Sequence, residues 1–188
     1  AVYEVPILFN GGVKEANDAR HGPARVADRA MFKAWREHGS PAGFAPDPHT
    51  GHECGDSRYL AVPFFDACLA LRLPPKNSVE QKLRSVKNKG VLGALPGTIT
   101  ANKVLASEEA CWLPTEAFAK AWAEYMKTGA TSDTTPPPAP FNLRVAAKAG
   151  GAELTWDAEA DFESGLAGFV IERDGREIAR LPEKPVGK

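Results

Sequence analysis

The chemically most suggestive part of the sequence is a polar loop between two apolar segments. The loop follows the short apolar segment 42–45 and precedes the apolar run 59–73. Functional side chains commonly lie on loops that rigid elements hold in place, so we predict that the functional site includes this loop. Six of its side chains can transfer protons, attack a carbonyl carbon or bind a metal: His49, His52, Glu53, Cys54, Asp56 and Ser57.

Within this loop, His52 is the side chain that we interpret as a general base. An imidazole can accept and return a proton near neutral pH, and such a base needs a carboxylate that fixes its tautomer. The polar loop over residues 14–22 contains two carboxylates, Glu15 and Asp18. Loops that follow two neighbouring parallel strands can bring such groups together, because the strands lie only about 4.8 Å apart.

Less specific interpretations of the same loop stay open. His52 could simply hydrogen-bond to the loop backbone. Together with His49 and the acidic residues it could also bind zinc, but the spacing matches no standard zinc motif, and we expect neither a metal nor another cofactor. Asp56 or Ser57 could cap the helix that follows. We expect Cys54 to be a buried or bridged thiol rather than a nucleophile.

Two strands and two helices are predicted around the candidate base. The apolar run 5–9 ends at Asn10 and two glycines, which is typical of a buried strand followed by a turn. An amphipathic helix over 23–38, a second strand over 42–45 and a buried helix over 59–73 follow. This order is typical of an α/β layer with parallel strands. Such a sheet has several strands, so we expect its earlier strands to lie outside this sequence.

The rest of the chain predicts one more helix and then an all-β part. Residues 76–112 show no clear pattern beyond one short strand, and the helix after them ends at Gly129. The proline-rich residues 130–140 predict a semi-rigid linker. The last two of the four strands beyond it form a hairpin around Asp174-Gly175. These four strands are predicted at 141–145, 152–156, 169–173 and 177–181.

The first half of the chain resembles the C-terminal part of an α/β-hydrolase. VPILFNGGVKEANDARHGP is similar to the acid strand and loop of that family, and HTGHECGDSRYL is similar to its histidine loop. The resemblance implies that His52 is the base and Asp18 the acid. Residues Val13–Asn17 lengthen the usual spacing between strand and acid, so Glu15 stays an alternative. The nucleophile motif G-x-S-x-G does not occur, so the resemblance implies a nucleophile upstream of these residues.

The last part of the chain resembles the first strands of a fibronectin type III domain. The similar stretches are PAPFNLRV, GAELTW and DFESGLAGFVIERDG, and Trp156 is the expected core tryptophan. The two resemblances imply an α/β fold class: the C-terminal part of an α/β-hydrolase parallel sheet with flanking helices, plus a partial all-β fibronectin-III-like sandwich. The implied domains are residues 1–129 for the hydrolase part, 130–140 for the linker and 141–188 for the incomplete fibronectin-like domain.

Composition and charge exclude several classes of function. The 23 basic and 24 acidic residues leave a net charge of -1, which gives no electrostatic case for binding nucleic acid. No apolar run approaches the roughly 20 residues that span a bilayer, so we expect no membrane span. The three cysteines are too few for a disulfide framework. The proline-rich linker and the hydrolase half are similar to secreted bacterial acetyl-xylan-esterase-like or peptidase-like hydrolases, which implies a secreted or periplasmic protein.

Two functional hypotheses follow from these patterns. The first is a serine hydrolase that cleaves an ester or peptide bond in a small-molecule, peptide or carbohydrate-ester substrate. This chain would supply His52 and Asp18, and the remainder of the hydrolase domain would be its partner. The alternative is a non-catalytic extracellular binding or attachment protein with a β-sandwich module, which the missing nucleophile motivates.

Overall fold

The computed structural model describes residues 4–79, 81–100, 109–133, 135–161 and 164–182. The chain divides into two compact units, Ala1–Ser132 and Asp133–Lys188. Within the described residues, the first unit contains three α-helices and five short strands, and the second contains four strands. None of the helices in these residues has the length and apolar composition that crossing a membrane requires.

The first unit begins with a strand–helix–strand crossover that carries the loops of Glu15 and His52. Strands β1 and β2 pair in parallel, with Phe9 opposite Phe44. Between them, a proline at position 23 occupies the first turn of α1, where its missing N–H leaves no hydrogen bond unmade. Gly39, at φ 70°, follows the end of that helix. The bounds of the elements are β1 Ile7–Phe9, a 3-10 helix Val13–Asn17, α1 Gly22–Glu37, β2 Ala42–Phe44 and α2 Arg58–Arg72.

A three-stranded antiparallel sheet follows, in a region for which the sequence predicts only one short strand. Its order is β4-β3-β5, with β3 at Val91–Ala94, β4 at Thr98–Thr100 and β5 at Ala110–Leu113. All four residues of β5 are buried. Helix α3, Glu116–Thr128, then begins where the Thr115 hydroxyl accepts the backbone N–H of Phe118 at 3.1 Å.

The core of the first unit joins the two small sheets to the helices. The Phe32 ring of α1 lies 5.3 Å from that of Phe44 in β2, and the Phe64 ring of α2 lies 5.5 Å from that of Phe118 in α3. Trp122 is fully buried, and its indole N–H donates to the Phe44 carbonyl at 2.9 Å. The core therefore anchors β2 immediately before the loop that contains His52.

The second unit consists of two antiparallel hairpins. Asp174 and Gly175 both have positive φ, 54° and 75°, as the predicted two-residue hairpin turn requires. The Trp156 ring lies 5.5 Å from the Phe169 ring, but both side chains are only partly buried, and none of the described residues of this unit is fully buried. The strands are β6 Phe141–Lys148, β7 Gly151–Asp157, β8 Phe169–Arg173 and β9 Arg176–Leu181.

The predicted fold class is therefore wrong. The described residues show three helices and short, mostly antiparallel strand pairs in small sheets, with one parallel pair in place of an α/β-hydrolase parallel sheet. The reason is that a single helical crossover yields one parallel pair, whereas tight turns such as Pro96-Gly97 reverse the chain and pair its strands antiparallel. In the second unit the described strands form two separate hairpins, and none of its described residues is fully buried, so these strands do not enclose the packed core of the predicted fibronectin-like sandwich.

Candidate functional site

Backbone hydrogen bonds join the loop after β1 to the loop after β2. The Asp47 N–H donates to the Gly11 carbonyl at 3.0 Å, and the Val13 N–H donates to the Asp47 carbonyl at 2.8 Å. Further along, the Lys14 N–H donates to the Thr50 carbonyl at 3.0 Å. The parallel pairing of the two strands thus continues into their loops, and it sets the two loops side by side.

Gly12 allows this close approach of the two loops. A Cβ atom at Gly12 would overlap with the backbone carbonyls of Thr50 and Gly51. Main-chain atoms cannot rotate out of the way as a flexible side chain can, so any side chain at this position would push the loops apart. The neighbouring Gly11 has no such constraint, because its nearest contact would be the Asp28 carboxylate at 3.5 Å.

This arrangement brings Glu15 and His52 into contact. The Oε1 atom of Glu15 lies 3.3 Å from Nδ1 of His52 and accepts the backbone N–H of Gly12 at 3.4 Å. Glu15 is only 5% exposed, whereas the His52 side chain is 55% exposed. A carboxylate in this position accepts a hydrogen bond from Nδ1–H, which favours the neutral tautomer with its lone pair on Nε2. Nε2 makes no hydrogen bond within the described part of the chain.

Asp18, the acid expected from the sequence, contacts a different histidine. Its Oδ1 atom accepts the backbone N–H groups of Arg20 at 2.7 Å and His21 at 2.8 Å, and it lies 3.3 Å from Nδ1 of His21. These backbone hydrogen bonds hold the pKa of Asp18 below its ordinary value. The structure therefore places Glu15, and not Asp18, beside the ring of His52.

Asp28 of α1 is a further carboxylate that the sequence patterns did not single out. A Cβ atom on Gly11 would lie 3.5 Å from Asp28 Oδ2 and 3.9 Å from both carboxylate oxygens of Glu15, so the two acids face the same space. Burial raises the pKa of Asp28, the negative charge of Glu15 raises it further, and His52 partly offsets both. Two acids and one imidazole therefore share this site.

Asp47, which sequence reasoning also missed, fixes the shape of the His52 loop. It is 1% exposed, and its two carboxylate oxygens accept the backbone N–H groups of His49 at 2.8 Å and Asp56 at 3.2 Å. Burial alone would raise the pKa of Asp47, but these hydrogen bonds, with others from Tyr125 and Thr50, hold it below its ordinary value. An aspartate that precedes a proline and a histidine is a recognisable turn signal, and it could have identified this residue.

The remaining loop residues do not converge on His52. Nδ1 of His49 lies 3.6 Å from Asp56, whereas Glu53 accepts the backbone N–H of Gly51 at 3.3 Å. The side chains considered as zinc ligands therefore make separate contacts. His49 contacts Asp56, His52 contacts Glu15, and Glu53 accepts a hydrogen bond from the Gly51 backbone. Asp47, His49 and Asp56 do have potential ligand atoms within 4.8 Å of one another, but both oxygens of Asp47 are already engaged by backbone N–H groups.

The two other loop positions singled out in the sequence have no catalytic partner among the described residues. Ser57 precedes α2, but its side chain makes no capping hydrogen bond. Cys54 is an exposed free thiol, so the expectation that it is buried or bridged is wrong. Cys111, by contrast, is buried in β5, and burial raises its pKa to about 11.

A groove of about 690 Å³ adjoins the segment that carries Glu15. Its lining includes Ala16, Gly22 and the basic side chains Arg25 and Arg29 of α1, together with apolar side chains such as Met126. The Arg29 guanidinium is held 5.0 Å from the centre of the Phe44 ring. The lining of the groove includes Ala16, the residue after Glu15, but neither Glu15 nor His52.

Comparisons with protein-family models, with curated proteins and with solved structures find no match for this chain.

Proposed function

We propose that this chain carries the base and the acid of a serine-type hydrolase of ester or peptide bonds, with His52 as the general base and Glu15 as the carboxylate that orients it. The observation that supports the proposal most is the 3.3 Å contact between Glu15 Oε1 and His52 Nδ1. The acid is buried and the base is half-exposed. Orienting groups are normally held away from water in this way, whereas the base must reach a substrate.

The proposed chemistry uses the two ring nitrogens of His52 for different purposes. Glu15 keeps the proton on Nδ1, so that Nε2 can accept the proton of an alcohol as that alcohol attacks the carbonyl carbon. The Glu15 carboxylate then stabilises the imidazolium, which returns the proton to the leaving group. Because Glu15 is only 5% exposed, water screens its charge less than it would screen that of a surface carboxylate.

The attacking alcohol is not identified among the 188 residues, since no G-x-S-x-G motif is present. We propose a serine from the remainder of the hydrolase as the nucleophile. The substrate class stays as the sequence predicts it, namely a small-molecule ester, a peptide or a carbohydrate ester. A secreted or periplasmic location is part of the same proposal, and it is supported by the resemblance to secreted bacterial hydrolases.

The experiment compares two histidines of the same loop in a form of the protein that contains the nucleophile. Hydrolysis of p-nitrophenyl acetate is measured for the wild type, His52→Ala and His49→Ala. We expect His52→Ala to lower kcat/KM by roughly 100-fold or more, and His49→Ala to stay within a few-fold of the wild type, because His49 pairs with Asp56 instead. A His52→Ala variant within a few-fold of the wild type would contradict the proposal.

A further inference from the structure

The imidazole of His52 is covered on one face by a second imidazole. The rings of His21 and His52 are stacked with their centroids 3.9 Å apart and their planes within 5° of parallel. His21 immediately precedes α1, whereas His52 lies in the loop after β2. The contact therefore joins the two loops that also meet through Glu15.

Asp18 contacts both the main chain and the ring of His21. Asp18 Oδ1 accepts the His21 backbone N–H at 2.8 Å and lies 3.3 Å from Nδ1 of the His21 ring. The Gly22 N–H closes the turn by donating to the Asp18 carbonyl at 2.8 Å. The stacked ring is thus supported by a hydrogen-bonded turn of the kind that aspartate side chains form.

The stack supplies a restraint that the Glu15 contact cannot provide. A single hydrogen bond at Nδ1 fixes one atom of the His52 ring but leaves the ring plane free to turn about that contact. A flat ring packed against its face at van der Waals distance removes this rotation. The direction of Nε2 is then determined, and a base must be held within a small angle to take a proton from an alcohol.

We propose that His21, supported by Asp18, is a positioning residue that fixes the plane of the His52 imidazole while Glu15 holds Nδ1. This role rests on the proposed function of His52. In this proposal Asp18 supports His21, although Asp18 itself touches no reacting group.

The test replaces the stacked ring and leaves Glu15 and His52 in place. Hydrolysis of p-nitrophenyl acetate is measured in the form of the protein that contains the nucleophile, for His21→Ala, which removes the ring, and for His21→Phe, which keeps a flat ring without the contact between Asp18 and the His21 ring nitrogen. We expect His21→Ala to lower kcat roughly tenfold with little change in KM, and His21→Phe to recover most of that loss. His38→Ala, at the other end of α1, is the matched control and should not change kcat.

An NMR measurement on the 188-residue chain separates the stack from the chemistry. Nuclear Overhauser contacts between the ring protons of residue 21 and those of His52 are expected in the wild type and in His21→Phe. Their absence from the wild type would overturn the proposal whatever the kinetics show.

The kinetic outcomes separate the positioning role from the proposed function. If His52→Ala loses activity but His21→Ala keeps the wild-type kcat, or if His21→Phe is no better than His21→Ala, only the positioning role fails. If His52→Ala keeps its activity, the proposed function itself fails, and the positioning role fails with it.

Discussion

The backbone N–H of Lys14 donates a 3.0 Å hydrogen bond to the carbonyl oxygen of Thr50, and this bond joins the loop of Glu15 to the loop of His52. Glu15 is the next residue after Lys14, and His52 lies two residues beyond Thr50. The contact between Glu15 and His52 thus depends on main-chain pairing that continues from the parallel strands. Side-chain geometry at this site is consequently sensitive to how closely the two backbones approach.

A methyl group at Gly12 should separate the loops. The Cβ atom of Gly12→Ala would overlap with the carbonyls of Thr50 and Gly51, so the backbones must move apart and Glu15 must move away from His52. We expect a loss of roughly 1–3 kcal/mol in the free energy of unfolding, and at least a tenfold loss in kcat/KM toward p-nitrophenyl acetate. Urea unfolding and steady-state kinetics measure the two effects.

Gly11→Ala is the matched control for that substitution. Its Cβ would have ordinary contacts of 3.5 Å or more with the Asp28 and Glu15 side chains, so much smaller losses are expected. Equal effects of the two substitutions would contradict the role assigned to close backbone approach at Gly12.

Asp47→Asn should make the fold less stable, and the effect should depend on pH. The pKa of Asp47 is held below its ordinary value, so its charged form stabilises the fold above the unfolded pKa of about 3.9, and this contribution is lost as the pH falls through the lower folded value. We expect Asp47→Asn to lower the free energy of unfolding by about 2 kcal/mol at pH 7, and by less at pH 3. Urea titrations at both pH values test this, with Asp66→Asn on the exposed face of α2 as the control for the charge change. An identical loss at pH 7 and pH 3 would contradict it.

Asp28→Asn should make the fold more stable at pH 7, which is the opposite of the effect expected for Asp47→Asn. The pKa of Asp28 is raised by burial and by Glu15, so its neutral form is favoured in the fold. The associated stability is present below the unfolded pKa and is lost as the pH rises through the folded value. Removing the charge should therefore raise the melting temperature at pH 7 and have little effect at pH 3, as calorimetry can measure. A lower melting temperature at pH 7 would show that the Asp28 carboxylate stabilises the site instead of repelling Glu15.

The helices of the first unit could be predicted from the sequence because their signals are local. Apolar spacing, the proline at the start of α1 and the glycines that follow α1 and α3 mark elements of 13 to 16 residues. Strands β3, β4 and β5 have only three or four residues each, too few to show an alternation. β5 is also buried at every position, so no polar face reveals its period.

The residues His52, Glu15 and Asp18 of the candidate site could be named from the sequence, but their pairing could not. His52 could be selected from the sequence because it lies in a polar loop between two apolar segments. The choice between Glu15 and Asp18 needed the path of the chain, because the 3-10 helix Val13–Asn17 turns Glu15 toward the second loop and leaves Asp18 at the turn before α1. The stacking of His21 and the shared space at Asp28 are long-range contacts that no local pattern encodes.

The most direct test of the central claim compares the two acids. Hydrolysis of p-nitrophenyl acetate is measured for Glu15→Gln and Asp18→Asn in the form of the protein that contains the nucleophile. If Glu15 orients the base, Glu15→Gln should lower kcat by roughly 100-fold or more, while Asp18→Asn, which only weakens the support of His21, should cost no more than about tenfold. A large loss in Asp18→Asn together with a nearly unchanged rate in Glu15→Gln would contradict the account.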